Sequence, residues 1–282
     1  MPVRPAMASR KRTPGGHIPS SSQIHPSAIV HPKAKVDVGV SIGPYSVIGE
    51  HVTIGAGTVI GAHCVIDGRT TLGSDNQIFT GAVIGSIPQD LKYRGEETIL
   101  LLGDRNKVRE YVTINPGTEG GGGKTVIGSD CLLMAYAHVA HDCVIGNRVV
   151  MANSAALAGH ITIEDRAVVG GLVGIHQFVR VGTLSIIGGC SRVTQDVPPY
   201  ATCVGYPAKI FGLNREGLRR AGMSEENRHA LHHAFRLLFH SKLSMSHALD
   251  QVVQELGTRD SCPELQHLLD FIRQSKRGVC RT

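Results

Sequence analysis

The sequence has no tryptophan and only 4% aromatic residues. That excludes a core built around large rings, and no basic surface interleaved with aromatics marks it as a nucleic-acid binder. Its seven cysteines (Cys64, Cys131, Cys143, Cys190, Cys203, Cys262, Cys280) include no C-x-x-C pair. Neither a disulfide framework nor a cysteine zinc site is indicated, and a reducing cytoplasm is expected. No run approaches the ~18 apolar residues that span a bilayer, and the N-terminus lacks an apolar secretion segment. Stable membrane insertion is therefore not expected. Acidic residues are absent from positions 1–23. That stretch is basic and rich in Pro, Gly and Ser, which suits a disordered extension or a start placed before Met7, with a transit peptide as a weaker alternative.

What is present is glycine, 34 residues of it, and 41% hydrophobic side chains in a chain of 282 residues. This is enough for one large domain or two modest ones. The formal charge of +6 favours an acidic protein or a phosphorylated ligand as partner.

A period of six dominates the middle of the chain. Aliphatic residues stand at Ile24, Val30, Val36, Ile42, Ile48, Ile54, Ile60, Ile66, Leu72, Ile78 and Ile84 without interruption. The phase returns at Leu102, Val108 and Ile114, slips by one, and resumes at Ile127, continuing every sixth residue to Val193. A helix needs apolar spacing near 3.6 and a half-buried strand alternates in twos, so neither accounts for six. Three short strands per coil do: the aliphatic side chains stack inside, and successive coils lie ~4.8 Å apart. Glycine often follows the aliphatic residue, as at Gly43, Gly49, Gly55 and Gly61, and is read as a conformationally permissive corner. The period breaks at residues 85–101 and 116–124, the second holding Gly120 to Gly123 in a row. Loops on a rigid scaffold commonly carry function.

The expected architecture is mainly β, a parallel β-helix over 24–200, followed by a helical domain over 201–282. Helix starts are expected at Ser224, at Ser244 or Ser246, and at Pro263, each ahead of apolar residues at helical spacing. These helices would cap the open end of the solenoid.

Most repeat positions are core or corner chemistry. The segment from Ala137 to Asn147 differs, carrying His138, His141 and Asp142, with His160 and His176 in the next two coils. Stacking makes these near neighbours. A histidine titrates in the range needed to take a proton from a sugar hydroxyl, and an adjacent carboxylate can fix its tautomer. Spacing alone leaves surface polar corners as an even alternative.

With Gln-Asp-Leu-Lys-Tyr (89–93), Gly-Asp-Arg-Asn (103–106), Ala-His-Asp-Cys (140–143), Leu-Ala-Gly-His (157–160), His-Gln-Phe (176–178), Gly-Gly-Cys-Ser (188–191) and Gln-Asp-Val-Pro-Pro-Tyr (195–200), the chain resembles the bacterial UDP-N-acetylglucosamine O-acyltransferases that begin lipid A synthesis. The resemblance runs from Ile24 to the C-terminus. It implies left-handed coils, a homotrimer with active sites between subunits, and transfer of a 3-hydroxyacyl group from acyl carrier protein to the sugar 3-hydroxyl, with neither cofactor nor metal. It implies further that His141 is the general base, Asp142 its support, and the Gly159 N–H the donor to the oxyanion. Asp90, Lys92, His138 and His160 would hold the sugar and phosphates. His176 is carried over as substrate-binding, and Gln177, Asn214, Glu216 and Arg220 as holding the nucleotide end. Gly189 falls at the position that sets acyl length, and its missing side chain implies a long chain of around fourteen carbons. Two departures stand out: Ala221 replaces a frequent second arginine, and Tyr206-Pro207 a more polar pair, which would leave nucleotide contacts weaker or shared with Arg215 and Arg219. Alternatives are the sister enzyme that N-acylates, a 3-amino acceptor, a zinc-dependent hexapeptide enzyme of the carbonic-anhydrase type, and a non-catalytic solenoid.

Overall fold

The computed structural model describes residues 22–257 and 262–282. The expected disordered extension over 1–23 lies outside them apart from Ser22 and Gln23, and Gln23 already pairs with Ser41 in the first strand. From Gln23–Ile24 to Arg192–Val193 the chain forms short parallel strands, most of two residues, stacked in three sheets, one of which grows to 11 strands with the later hairpin while the others have 9 and 8. The residues that set the period are the register partners: Ile42 lies on Ile60, and Ile60 on Ile78. Leu72 pairs with Leu102, and Leu102 with Ile127. Both excursions are thus looped out while the aliphatic stack stays in phase. From Ile42 onward its members are buried, whereas Ile24 in the first coil is 45% exposed because no coil lies beneath it.

The corners differ from expectation. Gly43, Gly49, Gly55 and Gly61, which follow the aliphatic residue, are not in the left-handed region; they are needed for close approach. A Cβ on Gly55 would lie 2.6 Å from the carbonyl carbon of Gly73 in the next coil. The left-handed residue comes two positions later and is usually not glycine: Tyr45, His63, Asp142 (φ 61°), His160 (φ 62°) and Phe178 (φ 65°) are examples. Stacked hydrogen bonds between coils hold these conformations, which an isolated turn would avoid.

The helical reading of 201–213 is corrected. Ala201–Gly205 and Ala208–Leu213 form an antiparallel hairpin that extends the largest sheet through Ile187 and Cys203, with a cis Tyr206–Pro207 bond at its turn. Their side chains alternate, Ala201, Cys203, Ala208 and Ile210 inward, Val204 and Phe211 outward, which is the period of a strand. Helices then follow as α1 (Arg215–Arg220), α2 (Glu225–His240), α3 (Met245–Leu256) and α4 (Pro263–Arg273). Ser224 caps α2, Ser244 rather than Ser246 caps α3, and Pro263 opens α4. The C-terminal segment ties this domain to the solenoid: the Cys280 N–H donates to the Asp196 carbonyl, and the Ile210 N–H to that of Arg281. Among the described residues no helix is long and apolar enough to cross a membrane.

Candidate active site

One face of the solenoid carries the strands His138–Val139, Ala156–Leu157, Gly174–Ile175 and Arg192–Val193, with His138, Ala156, Gly174 and Arg192 in cross-strand register. Two small residues between two long polar ones make a trough. The resulting groove, about 540 Å³, is lined at its edge by His141, Gly159 and His176, and Gln89 reaches it from the first excursion.

His141 and Asp142 form the centre. The His141 Nδ1 lies 2.8 Å from the Asp142 Oδ2. The Asp142 side chain is fully buried, while that of His141 is 15% exposed. A carboxylate accepts only, so Nδ1 carries the proton and the lone pair sits on Nε2. Among the described residues Nε2 has no hydrogen-bond partner. Gly159 is required here: a Cβ would lie 2.5 Å from His141 Cε1 and 2.7 Å from Nε2. The imidazole rests where a side chain would stand. No described acceptor takes the Gly159 N–H, a property shared by neighbouring corner residues such as Asn153 and Gly171.

His160 stands edge-on to His141 with ring centroids 5.1 Å apart, and stacks on Phe178 at 4.5 Å. Its Nδ1 is 3.9 Å from the Asp142 Oδ2. Desolvation holds the His160 pKa below the ordinary imidazole range, against an opposing pull from Asp142 and Asp90. His138 bonds the Thr113 hydroxyl at 2.7 Å, and burial, with the neighbouring His141, pushes its pKa down as well. His138 and His160 are therefore biased towards neutral imidazoles, the form that accepts hydrogen bonds. His141, Asp142 and His160 each present a ligand-type atom within 4.8 Å of the others. The Asp142 carboxylate is nonetheless already engaged by three protein hydrogen bonds.

The sequence-derived set divides. His138, His141, Gly159 and His176 line the groove. Asp90 is near enough for its charge to act on His160, held in a turn where its carboxylate accepts from the Lys92 N–H at 3.0 Å. The Lys92 side chain is exposed, as is Gln177. Asn214, Glu216 and Arg220 do not line the groove of their own chain. Asn214 caps α1 and donates to the Leu184 carbonyl at 2.8 Å. Glu216 pairs with Arg219 at 2.7 Å and Arg220 at 2.8 Å, and the Arg219 guanidinium draws its pKa to about 2. Gly189 is exposed on another corner, where a Cβ would meet the Gly171 carbonyl oxygen at 3.2 Å.

Sequence reasoning missed Arg192, whose guanidinium lies 5.4 Å from the Tyr206 ring centre, along with Gln89 and Thr194. Arg192 was legible as the outward strand position one coil beyond Gly174. The Tyr206 departure thus lies beside this groove.

The C-terminal residues 196–280 match the model of the second domain of UDP-N-acetylglucosamine O-acyltransferase, and 39–68 and 124–159 match the bacterial transferase hexapeptide repeat. The acyl-(acyl-carrier-protein)–UDP-N-acetylglucosamine O-acyltransferase of Anaeromyxobacter sp. is 49% identical over 92% of this chain and 99% of its own length. The chain belongs to the UDP-N-acetylglucosamine O-acyltransferase family. The enzyme of that name from Thermodesulfovibrio yellowstonii is 50% identical over 92% of the chain and all of its own length. Among solved structures, the Acinetobacter baumannii relative superposes with a TM-score of 0.87 at 45% identity, covering 92% of this chain and 99% of its own. The Arabidopsis UDP-N-acetylglucosamine acyltransferase superposes at 0.79 and 36% identity, over 92% of this chain and all of its own. Family membership also gives the hand of the coil, left-handed, against the usual right-handed crossover of parallel strands.

Proposed function

We propose that this O-acyltransferase moves a long (R)-3-hydroxyacyl group from acyl carrier protein to the 3-hydroxyl of UDP-N-acetylglucosamine, the first step of lipid A synthesis, with His141 as general base. The observation that carries the mechanism is the orientation of His141: Nδ1 is bound to buried Asp142, and Nε2 is bare at the edge of the groove. Nε2 removes the proton as the sugar oxygen attacks the thioester carbonyl. The C–O bond forms, the C–S bond breaks, and the proton leaves with the carrier thiol. The Gly159 N–H, beside the ring, donates to the oxyanion of the tetrahedral intermediate. Asp90, Lys92, His138, His160 and His176 hold the sugar and its phosphates, and the apolar floor of Ala156, Ala158 and Gly174 takes the acyl stem.

Gln177, Asn214, Glu216 and Arg220 hold the nucleotide end. None of the four lines the groove of its own chain, in keeping with a site completed by a neighbouring subunit, as in a homotrimer. Cys64, Cys131, Cys143, Cys190, Cys203 and Cys280 are free thiols, in keeping with a reducing cytoplasm. The +6 charge favours docking of an acidic carrier protein.

The assay that tests the acceptor offers 3-hydroxyacyl carrier protein with UDP-N-acetylglucosamine, its 3-amino analogue, or the 3-O-acylated free amine used by the sister enzyme. Turnover is expected on the first. Preference for a free amine would overturn the reading.

Donor length provides a separate test. Gly189→Met places a side chain against the Gly171 carbonyl and is expected to shift preference by at least ~10-fold towards donors several methylenes shorter, since each buried CH₂ contributes ~0.8 kcal/mol. Unchanged relative rates on long and short donors would remove Gly189 from the acyl slot.

A further inference from the structure

The segment from Asn115 to Gly123, which overlaps the second break at 116–124, adds residues between the strands Thr113–Ile114 and Lys124–Ile127 yet leaves their coil register intact. It does not project into solvent as a flexible flap. Asn115 to Thr118 are buried, and the Ile99 N–H donates to the Gly123 carbonyl at 2.9 Å. The loop folds back upon Asp142.

Thr118 stands at the N-cap of the short helical turn Glu119–Gly121. A threonine there ordinarily turns its hydroxyl onto the following amides. This one does not cap the turn. Its hydroxyl instead donates to the Asp142 Oδ2 at 2.6 Å, and its backbone N–H to Oδ1 at 2.9 Å. Oδ2 is the oxygen that also accepts from His141 Nδ1. From the other side, the Asp142 N–H donates to the Thr125 hydroxyl at 2.8 Å. Gly121 closes the grip, because a Cβ there would overlap the carboxylate.

A carboxylate has two rotational freedoms and several acceptor directions. Anchoring one oxygen with an amide and the other with a hydroxyl leaves His141 Nδ1 as its remaining partner. We propose that the glycine-rich loop is a clamp for the Asp142 carboxylate, with Thr118 as a positioning residue that orients His141 for the acyl transfer. Thr118 is buried and does not line the groove, so its effect belongs in the catalytic step and not in binding. The inference rests on His141 being the general base.

The test measures kcat and KM for both substrates, and thermal stability, in Thr118→Val, Thr118→Ser and Gly121→Ala, with His141→Ala as reference. Thr118→Val keeps the backbone bond and the shape but loses the hydroxyl donor. It is expected to lower kcat by about 10- to 100-fold, since misplacing a catalytic group by about 1 Å can cost ~10²-fold in rate, with both KM values within about twofold. Thr118→Ser restores the donor and is expected to return to within about threefold of wild type. Gly121→Ala, which retains the hydroxyl but crowds the carboxylate, is expected to lower kcat with KM unchanged, so the clamp remains testable if Thr118→Val does not fold. A wild-type kcat in Thr118→Val, an equal loss appearing in KM, or no rescue by serine would overturn the clamp. Near-normal activity of His141→Ala would instead remove the general-base reading beneath it.

Discussion

His141→Ala is expected to lower kcat/KM by at least ~10²-fold, the low end for removal of a general base. The expectation follows from the bonding around the ring. Nδ1 is committed to a carboxylate with no solvent exposure, so the lone pair faces the groove on Nε2 alone. His138 and His160 offer poor substitutes. His138 is bonded to Thr113 and His160 is stacked on Phe178. Stability should change little, because the imidazole lies at the edge of a groove and outside the aliphatic stack. Steady-state kinetics with 3-hydroxyacyl carrier protein would check this, and a variant within threefold of wild type would end the case for His141.

Gly159→Ala is the second large effect, and a less intuitive one, since alanine is the smallest available change. Its Cβ would lie 2.5 Å from His141 Cε1, inside any tolerable contact. Either the ring rotates away from Asp142 or the corner shifts. A misplacement near 1 Å can cost roughly 10²-fold in rate, so the expected loss approaches that of His141→Ala. Because both changes damage one unit, the double variant His141→Ala, Gly159→Ala should be little worse than His141→Ala alone. Additive losses would show that Gly159 acts independently of the ring, which would leave its N–H as the sole contribution.

The clamp around Asp142 could not be read from the chain in advance. The loop has no period, and four successive glycines usually indicate freedom. Here Gly121 instead lets the loop backbone approach the buried carboxylate. His141, Asp142 and Gly159 lie in unbroken coils, while the two breaks in the period place Gln89 at the groove and Thr118 and Gly121 against the Asp142 carboxylate. The hairpin at 201–213 is not marked by the six-residue period, which ends before it although the sheet does not. Strand alternation continued to Leu213.

The coil was legible because a six-residue period admits one kind of stack, and each aliphatic residue meets its counterpart in the next coil whatever the loops between them do. Coil stacking likewise brought the histidines into one neighbourhood. Which nitrogen is free, which corner leaves room for the ring and which loop residue holds the carboxylate depended on contacts between residues far apart in the chain. Thr118 and Asp142 are separated by 24 positions, and His141 meets Gly159 only across stacked coils. Distances of that kind arise when the coils close, and local pattern does not encode them.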